Sequence, residues 1–236
     1  EKVQAYEPWS GTYLGMGVIQ EAFLCERRNN IIFKINGFEH LFPGTPIAFM
    51  DRLDVKDDLI SAQLDNVLSV AIIIYMYHLG YQGTAFFKAS EEAGKSWRFL
   101  LEWFRRFDIS TNELLVLDTS PYATLEDINN LDIVLRNRDA NAVFKSPLKN
   151  KIKGIAIKEG IKYHFKDAYL KNKYSQNDKK GSLGTTELGR LIKATKGSIQ
   201  GATLQLPTIG YHTAYETTSV RTVQSIVSVL TKLYIK

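Results

Sequence analysis

Cysteine is nearly absent: Cys25 is the one thiol in 236 residues, so no internal disulfide can form and stability must come from packing. Long apolar runs are absent as well. The longest, Val67 to Leu79, falls short of the roughly 20 residues a helix needs to cross a bilayer, and the first residues carry no secretory signal pattern. These absences make a soluble protein of the reducing cytoplasm the expectation, with no membrane partner. Histidine is scarce at four, so each one is weighed below as a ligand. What is plentiful is ordinary. With 44% hydrophobic and 23% charged residues, the chain can bury one or two cores, and disorder, collagen and coiled coil are excluded.

A formal charge of +5 raises nucleic acid as a partner, yet the charge resides in one stretch. Between Lys145 and Lys180 stand eleven lysines against Glu159, Asp167 and Asp178, a local +8 that leaves the remainder near −3. The stretch lacks arginine and regular aromatic interleaving, so it reads as a solvated helix and loop and nucleic acid is not expected.

Residues 1–58 read as β-rich. Apolar runs at Gly17 to Leu24 and Ile31 to Ile35 flank the turn-like Arg27-Arg28-Asn29-Asn30, and a third, Pro46 to Met50, follows the break at Pro43-Gly44. From residue 59 the texture changes to alternating helical and short apolar segments, the pattern of an α/β domain with a mostly parallel sheet; the polar pair Asp57-Asp58 marks the expected boundary. Val67 to Leu79 is apolar nearly all round and predicts a buried helix. Strands are expected at Thr84 to Ala89, Glu113 to Leu117, Asp132 to Leu135, Ile152 to Ile157 and Gly201 to Leu206, and a helix at Lys95 to Phe107. Ser219 is the predicted N-cap of a last helix whose Val220, Val223, Ile226, Val227, Leu230 and Leu233 follow the 3.6 period.

Asp65, Glu91, Glu92, Asp118 and His212 stand where this pattern puts strand ends and the loops after them. Ligands of open α/β sheets bind at the carboxyl ends of strands, so these residues can converge although distant in sequence. Each has an ordinary explanation alone: a cap, a solvated helix start, a surface imidazole. Together they present oxygen and nitrogen donors of the mixture that suits zinc, cobalt or manganese, and a bridging carboxylate holds two such ions roughly 3.5–4 Å apart.

Ile60 to Asn66, Ser90-Glu91-Glu92-Ala93-Gly94, Leu117-Asp118-Thr119-Ser120, Gly184-Thr185-Thr186-Glu187 and Tyr211 to Glu216 resemble, in that order, the di-metal aminopeptidases. The group is the one with the glutamyl, deblocking and TET aminopeptidases, some labelled endoglucanases. The resemblance implies an α/β fold, a mixed and mostly parallel sheet flanked by helices, with a small inserted β-barrel or PDZ-like domain at residues 1–58 used for oligomerisation. It implies a catalytic domain at residues 59–236 and a homo-oligomer, a dodecamer built from dimers. It further implies that Asp65 bridges two divalent metal ions, that Glu92 and His212 ligate one and Asp118 the other, and that Glu91 is the general base for removing N-terminal residues from peptides.

Two departures stand out. The family's first ligand, a His two residues before an Asp and N-terminal to the inserted domain, has no counterpart; His40 lies in the β-rich part, and His78 and His164 have structural explanations. The resemblance therefore implies that this catalytic segment is missing from the sequence or that one metal site is lost. Asn66 also stands where the family has a second Asp, keeping an acceptor oxygen but no charge. The competing expectation is a truncated or degenerate homologue acting as an oligomer subunit or peptide-binding protein. Glycoside hydrolysis is a poor fit, because adjacent Glu91 and Glu92 on an extended backbone point to opposite sides.

Overall fold

The computed structural model describes residues 1–50, 52–176 and 182–235. The chain divides into two compact units, Glu1–Arg52 and Leu53–Lys236.

The first unit is a four-stranded antiparallel sheet. Its strands are β1 (Lys2–Tyr6), β2 (Tyr13–Cys25), β3 (Asn30–Asn36) and β4 (Ile47–Phe49), in spatial order β3-β2-β1-β4. Gly17 is required where β2 meets β3: a Cβ there would lie 2.7 Å from the Asn36 carbonyl oxygen and 2.9 Å from Ile35. Val3 and Ala5 are its buried hydrophobic residues among those described.

The second unit begins with a hairpin, β5 (Asp54–Lys56) and β6 (Leu59–Ala62). Asp57 and Asp58 are its two-residue turn, both at positive φ (51° and 63°), as tight hairpins demand. Next come α1 (Val67–His78), α2 (Ser96–Arg106), β7 (Thr111–Pro121), α3 (Leu125–Asn129), β8 (Ile133–Leu135), α4 (Leu148–Lys158), β9 (Tyr163–Phe165), α5 (Lys166–Gln176), α6 (Glu187–Ala194), β10 (Ile199–Thr208), β11 (Glu216–Ser219) and α7 (Val220–Tyr234). The main sheet runs β7-β10-β8-β9. Its outer pairs, β7 with β10 and β8 with β9, are parallel, and β10 with β8 is antiparallel. A second sheet, β11-β6-β5, is antiparallel.

Alternation along β10 sends Ala202, Leu204 and Leu206 into the larger core, where they meet Leu148, Ile152 and Ala156 of α4 and Ile226, Val229 and Leu230 of α7. Leu100, Leu101 and Phe104 of α2 pack with Leu191 of α6 and Ile199 in a separate cluster. Ser219 caps α7 as predicted, its hydroxyl accepting from the Thr222 amide at 3.0 Å. The result is a mixed α/β fold with a sheet flanked by helices.

Three expectations are corrected. Ile152 to Ile157 is helical, inside α4: Leu148, Ile152 and Ala156 recur every four residues and are at most 2% exposed, and a short apolar run does not by itself distinguish helix from strand. Thr84 to Ala89 has no ladder partner among the described residues and is not a strand; its Thr84 to Lys88 line one cavity together with residues of β7. Helix α1 forms, but only Ser69, Ile72 and Met76 are buried, while Val67, Ile74 and Tyr75 are exposed.

The lysine-rich stretch spans α4, β9 and α5, and Lys179 and Lys180 lie outside the described residues. Most of its described lysines are exposed or half-buried, but Lys166 is only 4% exposed. Its ammonium donates to the Pro121 carbonyl and sits 3.6 Å from the Tyr122 ring centroid. The Tyr122 hydroxyl in turn meets His164 Nε2, and His164 stacks on Tyr169. Burial, with Arg136 and Lys173 nearby, pulls the Lys166 pKa down to about 7.

Candidate metal centre

Four segments of the second unit deliver the site. The hairpin strand β6 runs into Leu64-Asp65-Asn66 ahead of α1; Glu91 and Glu92 occupy a turn closed by Gly94 N–H donating to the Glu91 carbonyl at 2.6 Å; Asp118 lies on β7; His212 lies in the loop between β10 and β11. Glu91 and Glu92 are therefore on a turn, and the extended alternation expected for the pair does not occur. Gly94 is at φ +65°, and a Cβ there would come within 2.5 Å of Arg190 Nη1.

Asp65, Glu92 and His212 converge, each offering a donor atom within 4.8 Å of the others. His212 Nε2 is 3.2 Å from Glu92 Oε1 and 3.7 Å from Asp65 Oδ2. Asp65 is nearly buried at 13% side-chain exposure, whereas His212 (50%) and Glu92 (63%) face solvent. Asp118 and Glu91 are not in this triplet, but both interact electrostatically with it. Burial, then the charge of Asp65, pushes Asp118 up to about 8. Burial, then Glu216 and Glu92, pushes Asp65 up to about 6. Burial, then Glu92 and Glu187, raises Glu91, with Arg190 and Lys88 opposing. Carboxylates buried and crowded this way resist ionisation more than the nearby Arg136, Arg190 and Lys88 offset, and a divalent cation would remove that cost. The donor set of carboxylate oxygens and one imidazole fits such an ion.

Asn66, noted in the sequence for its lost charge, and three residues not singled out there support the site. Asn66 Nδ2 donates to the Leu117 carbonyl at 2.9 Å, a bond an aspartate could not donate, which ties the Asp65 segment to β7 beside Asp118. Its Oδ1 is buried without a partner. Tyr211 stacks on His212, ring centroids 3.7 Å apart at 27°. Glu187 accepts from Lys88 Nζ and, at 2.5 Å, from Ser96 Oγ, anchoring the segment that leads to Glu91. Glu216 bonds the backbone on either side of the site; it was legible only as the end of the Tyr211 to Glu216 run. The remaining histidines are accounted for elsewhere: His40 belongs to the first unit, His78 stacks on Tyr75, and His164 bonds Tyr122.

A cavity of about 510 Å³ opens beside the cluster, walled by Thr84 to Lys88 on one side and Glu113 to Asp118 on the other. Among the described residues β7 is an edge strand, bonded to β10 alone.

No protein-family model and no curated protein matches the sequence. Solved structures do, and they show the fold: it is that of the TET aminopeptidases, and a chain labelled endoglucanase shares it. A TET aminopeptidase from a marine-sediment archaeon of the Thaumarchaeota aligns over 99% of this chain and 70% of its own at 13% identity, TM-score 0.69. The TET1 peptidase of Pyrococcus horikoshii, which can assemble into a tetrahedron or a large octahedral shell, aligns over 100% and 72% at 18% identity, TM-score 0.65. An endoglucanase of Thermotoga maritima aligns over 99% and 67% at 11% identity, TM-score 0.61. Among the described residues no helix is long and apolar enough to cross a membrane.

Proposed function

We propose that the chain is a metal-dependent aminopeptidase that hydrolyses N-terminal residues from peptides. The observation that carries this is the convergence of Asp65, Glu92 and His212 within 4.8 Å, with the carboxyl of Asp118 raised by burial and then by the charge of Asp65. Asp65 would be the ligand shared by two ions, Glu92 and His212 would hold one of them with it, and Asp118 would hold the other. When bound, two divalent ions (zinc, cobalt or manganese) supply Lewis acidity for the peptide carbonyl and for the attacking water.

Glu91 is the general base. It takes a proton as water oxygen bonds to the carbonyl carbon, then delivers that proton to the amine nitrogen as the C–N bond breaks. Its pKa is raised by burial and by Glu92 and Glu187, which brings a carboxylate closer to neutral operating pH. Glu91→Gln is expected to lower kcat by about 10²–10⁴-fold with metal content unchanged. Full activity in this variant removes the base assignment.

Residues 1–58 are proposed as the inserted, PDZ-like oligomerisation domain. Leu14, Met16, Val18 and, past a bulge, Phe23 lie on one face of β2 and are 40–46% exposed, an apolar stripe of the kind that marks an association surface. Residues 59–236 are the catalytic domain.

A further inference from the structure

Glu216 is the first residue of β11 and is 1% exposed. Charged side chains are almost never buried so completely unless fully bonded, and the bonds of this one are specific. Its Oε2 accepts from the backbone amides of Leu64 (2.8 Å) and Asp65 (2.6 Å), and its Oε1 accepts from the amide of His212 at 2.9 Å. No lysine or arginine pairs with it among the described residues. One carboxylate thus joins two segments separated by almost 150 residues, and each segment carries a member of the metal-ligand triplet.

We infer that Glu216 is the positioning residue that sets the placement of Asp65 against His212. The inference rests on the metal reading above for its consequence, but not for its geometry. His212 sits at φ +59°, a left-handed conformation that a non-glycine residue keeps only when its surroundings hold it. The Glu216 bond to its amide and the Tyr211 ring against its imidazole do so. Bonds from backbone N–H to an ionised carboxylate are about twice as strong as neutral ones. An amide cannot replace this carboxylate: however Gln is turned, its NH₂ faces either the His212 amide or the pair at Leu64 and Asp65, donor against donor.

The test uses Glu216→Gln in the full chain with two readouts. The first is amide hydrogen exchange at Leu64, Asp65 and His212 without metal; the second is Co²⁺ titration followed by its visible spectrum. Expected are exchange at least tenfold faster at Leu64 and Asp65 or at His212, with the β6–β11 ladder protected as in wild type, and Co²⁺ affinity lower by about 10–100-fold, the usual loss when the support of a ligand is removed. Unchanged protection at all three amides with Co²⁺ affinity within twofold of wild type overturns the inference. Should Glu216→Gln not fold, Glu216→Asp serves: it keeps the charge and shortens the reach, so protection is expected on one side and not both, and protection on both sides overturns the inference. If wild type takes up no Co²⁺, the metal reading falls, and the amide exchange alone decides for or against Glu216.

Discussion

The two units solve the problem of burying apolar surface in opposite ways. In Leu53–Lys236, thirteen buried hydrophobic residues on β8, β10, α1, α4 and α7 form one continuous cluster. In Glu1–Arg52, only Val3 and Ala5 are buried hydrophobics among the described residues, and large side chains such as Ile31, Leu24 and Tyr13 stand 56–64% exposed. A single sheet with exposed apolar side chains on both faces cannot close a core by itself. The α/β unit is thus stabilised internally, whereas the sheet unit leaves much of its apolar surface exposed.

The comparison breaks most directly in the larger core. Leu204, fully buried at the centre of β10, should cost about 2–5 kcal/mol on truncation to Ala, read as a lower urea midpoint with the far-ultraviolet spectrum retained. A small effect there would mean the cluster is loosely packed.

The buried lysine sharpens the contrast within the α/β unit. Lys166 binds its proton less tightly when folded, with a pKa of about 7 against the ordinary 10.5. Between those values the unfolded chain holds a proton that the folded chain does not, so stability from this group rises with pH through that window and its full cost is felt below it. Comparing wild type with Lys166→Met cancels the other groups: wild type should gain melting temperature relative to the variant between pH 7 and pH 9.5. His164, held down to about 4 by burial and Lys166, adds a change of the same sign between about pH 4 and 6.5. A flat difference would place Lys166 in water.

The smallest effect on folding should come from the sheet unit. Met16→Lys is expected to change the stability of the chain by no more than about 0.5 kcal/mol while lowering the sedimenting mass at fixed concentration. An unchanged mass would remove the stripe on β2 from the association surface.

The same division explains what was readable beforehand. Helix α7 was legible because its cap and its apolar period agree, and β10 because an apolar run ends at a proline. Asp65, Glu92 and His212 were legible through the order of short motifs. Ile152 to Ile157 was not, since its helical spacing shows only when Leu148 is included. Lys166 looked like its ten lysine neighbours, and only the packing of Tyr122 and Tyr169 around it sets it apart. Glu216 was invisible as a functional residue because its partners are backbone amides, which any sequence would supply. Thr84 to Ala89 has the composition of a strand and lacks a partner, a circumstance no local pattern records.

The central claim is that the carboxylates and imidazole gathered on Asp65 hold divalent metal, and the most direct test is tightly bound metal per chain. Wild type and Asp65→Ala would be reconstituted with zinc or cobalt, freed of excess ion and measured by elemental mass spectrometry. Wild type is expected to retain metal and Asp65→Ala to lose it. A wild-type chain that retains none, or a variant that retains as much as wild type, would contradict it.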